Sequence, residues 1–267
     1  MFFSHISITL GLIAYAAASG LYLHAFPKED KSDVVNRIAF YSFVLATICL
    51  SSALASIFYL GYYSQTSGLI LICTLSWFTI IATKKYNVNL MPTFVAPIIT
   101  LILLFQFLTV PSSSHVYSEA PSGFAAFHIL MAITGQAFSI CASAISIILL
   151  LQQRALKTKK LKQLMSFAPS LDKLQASLSI SLWSGFIFLT IGLITGALYS
   201  QFFSEEPQLG LGGKIIWALM VWIWYLGTLL AKNILNMSIK RVAQMSLIGF
   251  GLLALSFFGL ITWGVRL

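Results

Sequence analysis

The chain has 267 residues, of which 58% are hydrophobic and only 9% charged, with a formal net charge of +9. Soluble domains carry about a quarter charged residues, so this composition excludes a soluble globular protein and requires a lipid bilayer as partner. The positive charge falls in short clusters between apolar runs and leaves no continuous basic face for a phosphate backbone, which excludes a nucleic-acid partner.

A helix needs about 20 apolar residues to cross a hydrocarbon layer of ~30 Å. Eight runs qualify, at 3–26, 38–61, 66–83, 91–110, 124–152, 174–203, 215–231 and 243–265. None shows the alternation of a barrel strand, and open strands would leave backbone groups unpaired in lipid. The expected fold class is an all-α integral membrane protein, a bundle of about eight transmembrane helices forming one polytopic domain over residues 1–267. The first run lacks a basic leader and is too long for the apolar core of a signal peptide, so it is read as a helix, and no soluble domain is expected before or after the bundle. The fourth contains Pro92 and Pro97, read as kinks. The fifth carries His128 just inside its start, and the sixth carries Ser181, Gly185, Gly192 and Gly196 on one small face, the last two in GxxxG spacing.

Lys and Arg fix the expected orientation. Lys28, Lys31, Arg37, Lys84, Lys85, Arg154, Lys157, Lys159, Lys160, Lys162, Lys173, Lys232, Lys240 and Arg241 fall on one side, Lys214 and Arg266 on the other. Both termini are therefore expected on the outer, periplasmic side of a bacterial inner membrane.

Several chemistries are excluded. Cys49, Cys73 and Cys141 stand singly within apolar runs, with no CxxC for thiol exchange and no CxxCH for covalent haem. "GLGGK" at 210–214 has Gln208 where a phosphate loop needs glycine and Ile215 where it needs Ser or Thr. All seven acids fall in loops or at helix ends, so a proton-coupled pump or ion transporter has no midplane carboxylate. No nucleophile with a base, paired carboxylate or metal cluster is visible, and no enzymatic activity is expected.

Histidine remains. His24 lies nineteen residues after His5, roughly 28 Å along a helix, so the two occupy opposite membrane surfaces and His24 is read as snorkelling beside the basic loop. His5, His115 and His128 share the outer side. Imidazole is a frequent haem-iron ligand, although a lone interfacial histidine also serves as an ordinary hydrogen-bonding group. Below His128, Ala132, Gly135, Ser139 and Ala142 follow one helix face and form a groove that either a flat ligand or another helix can fill.

The stretch "LGLGGKIIWALMVWIW", residues 209–224, resembles the end of the tryptophan motif of the CcsA/ResC and CcmC-like family of haem-handling cytochrome c assembly proteins, and more closely its short eight-helix HemX-like branch. Lys214, Trp217 and Trp222 keep the family's Lys-x-x-Trp-x-x-x-x-Trp register. "FHILMAITGQAFSICASAISIILLLQQRALK" is similar to the family's helix that begins at a periplasmic histidine, with His128 in that place. "PSLDKLQASLSISLWSGFIFLTIGLITGALY" and "IGFGLLALSFFGLITWG" are similar to its next and last helices, so the resemblance runs over residues 124–267. Gly212 and Gly213 replace the motif's Asp-Pro, Ile215 its Glu, and the preceding "SEEPQLGL" holds no Trp. The family's second periplasmic histidine would follow Leu267.

What the resemblance implies is a non-covalent, b-type haem at an outward site. His128 is the expected first axial ligand, with Trp217 and Trp222 as a platform remnant. From this chain's own topology, His5 is the expected partner because an N-terminal helix packed on the fifth would offer an imidazole at similar depth, His115 in the loop before the fifth helix is the reserve, and Lys214 and Arg266, the only outward basic residues, are the expected propionate partners. The competing expectation is an accessory or regulatory subunit without haem. Its contact would be the basic loop 154–173, facing haem-pathway or cytochrome-assembly proteins, or acidic lipid.

Overall fold

The computed structural model describes residues 2–25, 32–60, 66–86, 88–109, 123–157, 170–202 and 213–264, with the side chains of 2–5, 213–214 and 256–264 among those outside the description. The described residues form eight α-helices: α1 (Phe2–Ala25), α2 (Ser32–Leu60), α3 (Thr66–Tyr86), α4 (Met91–Thr109), α5 (Gly123–Lys157), α6 (Leu171–Phe202), α7 (Gly213–Asn233) and α8 (Ile239–Gly264). Each overlaps one of the eight apolar runs. Six, namely α1, α2, α3, α5, α6 and α7, are long and apolar enough to cross a membrane, whereas the apolar part of α4, Met91–Gln106, is shorter. The protein is a multi-pass helical membrane protein.

The helices outrun the apolar segments at their polar ends. α5 continues through Arg154 to Lys157, and α6 starts at Leu171 with Asp172 in its first turn. Hydropathy marks where lipid ends. The hydrogen-bond ladder persists into the interface, where a carboxylate at a helix start and lysines at a helix end also favour the helix dipole. Between α7 and α8 the chain turns through Asn236 in a left-handed conformation, φ 46°, which Asn tolerates better than most residues. There the Met237 N–H reaches the Ala231 carbonyl at 3.0 Å, and the Ser238 carbonyl accepts from Arg241 and Val242 to start α8.

Two compact units divide the chain, one comprising Met1–Pro121 with Leu151–Ser170, the other Ser122–Leu150 with Leu171–Leu267. In the first, α1 packs on α2 and α4, and α3 on α2 and α4. Its centre is Tyr15, edge-on to Phe43 with ring centroids 5.2 Å apart. The Tyr15 hydroxyl shares hydrogen bonds with Thr47 at 3.0 Å and Ser76 at 2.7 Å, so one phenol links three helices. Pro92 sits in the first turn of α4, where its missing N–H costs nothing, while Pro97 interrupts the ladder in the interior.

In the second unit α5 and α6 run antiparallel with backbones in close approach. Cβ atoms built on Gly185, Gly192 and Gly196 would stand 3.3 Å from Phe138, 3.0 Å from the Ala132 Cα and 2.5 Å from His128, and one built on Gly135 would stand 2.8 Å from the Leu189 nitrogen. In lipid, where apolar burial gives no driving force between helices, such backbone proximity is a principal source of association. α7 runs back against α6, with Trp222 stacked on Phe186 at 5.4 Å. α8 then returns along α7, its Met245 carbonyl accepting from Trp224 at 2.9 Å.

Candidate functional site

His128 lies in the second turn of α5, half-buried. Its Nδ1 is 2.8 Å from the Gly192 carbonyl and 3.3 Å from the Thr195 hydroxyl, both on α6. A carbonyl only accepts, so Nδ1 carries the hydrogen. The Thr195 hydroxyl already donates to Ile191 and Gly192 carbonyls at 2.7 and 3.1 Å and offers its lone pair to the same N–H. In the neutral imidazole the unprotonated nitrogen is then Nε2, which makes no hydrogen bond to the described residues. Fixing one ring nitrogen on a backbone carbonyl so that the other presents a lone pair is how proteins set a metal-binding tautomer.

Gly196 makes this pose possible. The ring lies over its Cα, where a Cβ would meet Cε1 at 2.5 Å, Nδ1 at 3.0 Å and Nε2 at 3.2 Å. The small-residue groove below His128 is filled: Gly192 seats against Ala132, and Leu189 against Gly135. Helix α6 is its occupant.

The two tryptophans do not form one platform. Trp222 points at α6, where its indole donates to Thr190 at 2.8 Å and stacks on Phe186. Trp217, five residues earlier, is rotated from it by about 140° around α7, and its buried indole N–H has no partner among the described residues. Lys214 lies in the first turn of α7, its side chain outside the description, and His5 stands likewise in α1 of the other unit. His115 and Arg266 lie outside the described residues. His24 is exposed in the last turn of α1, and the described residues hold no cluster of three or more metal-binding side chains.

The site thus gains three residues that the sequence reading did not assign to it. Gly192 contributes a carbonyl, Thr195 a hydroxyl and Gly196 the absence of a side chain. Two of them form the GxxxG pair, which reads as helix packing. The available signal was their offset, since a face that abuts a helix beginning near a histidine also abuts that histidine.

A family model described as Cytochrome C assembly protein matches residues 61–267. The match takes in α3 and α4 as well as the segment from 124 onward that carries the sequence resemblance. No curated protein matches the chain, and no solved structure does.

Proposed function

The chain belongs to the cytochrome c assembly protein family, and we propose on that premise that it binds haem at His128. Family membership gives a haem-handling role in cytochrome c biogenesis. The observation that carries the finer reading is the His128 tautomer, held by the Gly192 carbonyl at 2.8 Å with Nε2 unpaired. That arrangement fits a group that takes one axial nitrogen.

When bound, haem would supply an iron centre able to change oxidation state. Of the chain's own residues, His128 would offer Nε2, Gly192 and Thr195 would hold the ring, and Trp217 would offer its unpaired indole N–H to an acceptor at the same end of the unit. His5 is the proposed second ligand and His115 the reserve. Lys214 and Arg266 would pair with propionates, and Trp222 would serve as an aromatic wall through its stack on Phe186. With basic loops on the cytoplasmic side of a bacterial inner membrane, the site faces outward.

The test is an absorption spectrum of protein purified in mild detergent, oxidised and then reduced with dithionite, with a pyridine extract to identify the haem. A Soret band that His128→Ala weakens is expected. The same band undiminished in that variant would remove His128 as a ligand.

A second reading, an accessory subunit without haem, draws on the filled α5–α6 groove. Its contact surface would be the basic segment 154–173, of which Arg154 and Lys157 close α5. Under that reading the protein is colourless and takes up no added haem, and a protein partner co-purifies until the lysines of the segment are neutralised.

A further inference from the structure

The first turn of α8 holds Lys240 and Arg241 and no acid. Both cations are exposed. The positive end of a helix dipole disfavours them there unless an anion stands beside them. The chain supplies none nearby in sequence, since residues 207–267 contain no Asp or Glu. At this end of the second unit one described acid, Asp172, stands against four cations, Lys173, Lys232, Lys240 and Arg241. Lys232 is already engaged, donating to Ser179 of α6.

The same face continues as a narrow stripe. At about 100° per residue, Lys240, Arg241, Gln244, Ile248, Gly251 and Leu255 fall within an arc of about 100°. The buried Val242, Ala243 and Ser246 lie opposite, with Gly249 against the Trp224 and Tyr225 rings. Gln244 is exposed, Ile248 is 51% and Leu255 62% exposed, and a Cβ built on Gly251 between them would meet nothing within 4 Å. From Gln244 to Leu255 the stripe runs about 16 Å along the helix. One leaflet contributes about 15 Å to a hydrocarbon core, so the apolar row has the length of one acyl chain.

The turn before α8 fixes the depth of its cations. Only five residues join Asn233 to Ile239, and the Ile234 and Leu235 N–H groups are tied back to the Leu230 carbonyl at 2.9 and 3.2 Å. A connection this short stays within the membrane interface. Its Ile234 and Leu235 side chains are 68% and 64% exposed, which is favourable at the boundary of headgroups and acyl chains and unfavourable in water. Lys240 and Arg241 are thereby held at the level of lipid phosphates, with Gln244 about 5 Å deeper, at the level of the glycerol esters. A soluble acidic partner would need a loop reaching past the headgroups, which this turn does not provide.

We propose that the outer face of α8 binds one anionic phospholipid of the leaflet at the α7–α8 turn. Lys240 and Arg241 take the phosphate, the Gln244 amide donates to an ester carbonyl, and an acyl chain lies along Ile248, Gly251 and Leu255. The headgroup places negative charge where the helix dipole is positive and so completes the first turn. A zwitterionic lipid fits the same row, but its own cation cancels the attraction to the basic pair. His128 lies near the start of α5, at the opposite end of the unit, so this site stands whether or not haem binds.

Photocrosslinking tests this, with benzoylphenylalanine in place of Ile248 in the full chain and vesicles of equal phosphatidylcholine and phosphatidylglycerol. Mass spectrometry of the adducts reads the occupant. One basic side chain at an anionic surface shifts partition about fivefold, so phosphatidylglycerol adducts are expected to exceed phosphatidylcholine adducts by about fivefold to 25-fold. The same probe in place of Ile223, 54% exposed on α7 and at similar depth, should return the bilayer ratio. Lys240→Gln combined with Arg241→Gln should bring position 248 down to the ratio at position 223. A bilayer ratio at 248, an equal enrichment at 223, a ratio that the double variant leaves unaltered, or adducts mainly to a second copy of the chain each overturn the proposal. Should the double variant fail to insert, the two single variants decide: each is expected to lower the enrichment about fivefold, and no fall in either overturns it.

Discussion

Adding one methyl group at Gly196 tests whether helix packing and the candidate site are the same structure. In Gly196→Ala the new Cβ would stand 2.5 Å from Cε1 of His128 and 3.0 Å from Nδ1. Non-bonded carbons rest at about 3.5–4.0 Å, so the ring must move by roughly 1 Å. The Nδ1 to Gly192 bond, now 2.8 Å, would then pass the ~3.5 Å beyond which a hydrogen bond is lost. The direct cost to stability is modest, about 0.5–1.5 kcal/mol. The cost to a ligand on Nε2 is larger, because loss of an orienting partner typically lowers metal affinity about 10–100-fold. Haem titration followed at the Soret band measures it, with Gly227→Ala as control, since nothing lies within 4 Å of a Cβ there. A Gly196→Ala variant that binds haem within about twofold of the parent would refute the orienting role assigned to the Gly192 carbonyl.

Thr195→Val removes the weaker acceptor, at 3.3 Å, and should lower haem affinity by less than Gly196→Ala in the same titration. Gly135→Ala places a methyl 2.8 Å from the Leu189 backbone nitrogen, which cannot rotate away; about 1–3 kcal/mol of destabilisation is expected, read as a lower melting temperature in detergent. Tyr15→Phe leaves Thr47 and Ser76 without their shared partner and should cost about 1–2 kcal/mol on the scale of hydrogen bonds between membrane helices, in the same melting assay. Thr190→Val frees the Trp222 indole, so the hydrogen-bond marker of that indole in ultraviolet resonance Raman should shift, and an unchanged marker would refute the contact.

The eight helices were legible because lipid imposes one length and one composition on each span. Their ends were not. The runs stop where Arg154 or Asp172 appears, whereas the helices continue through them to Lys157 and from Leu171, because interfacial water tolerates charge on a helical backbone. His128 was legible by its place at a helix start among small residues. The contact that orients it was not, for Gly192 lies 64 positions away in the chain and contributes only a carbonyl, which no side-chain pattern announces. Trp217 and Trp222 read as one motif because a register of residue letters ignores rotation, and an offset of five turns the second to a different face.

The α5–α6 seam makes one set of small residues serve two ends. Toward Ser139 the close approach at Gly185 and Gly135 joins the helices. Toward His128 the same row, one turn at a time, substitutes a carbonyl at Gly192 and an open Cα at Gly196 for side-chain contact. An imidazole occupies the last position where an alanine pairs one turn earlier. Had the row ended in a residue with a Cβ, His128 would be pushed from the seam and its Nδ1 left to find another acceptor. The packing motif therefore fixes the ring's tautomer, and a substitution that preserves helix association while shifting this last contact separates stability from ligand binding.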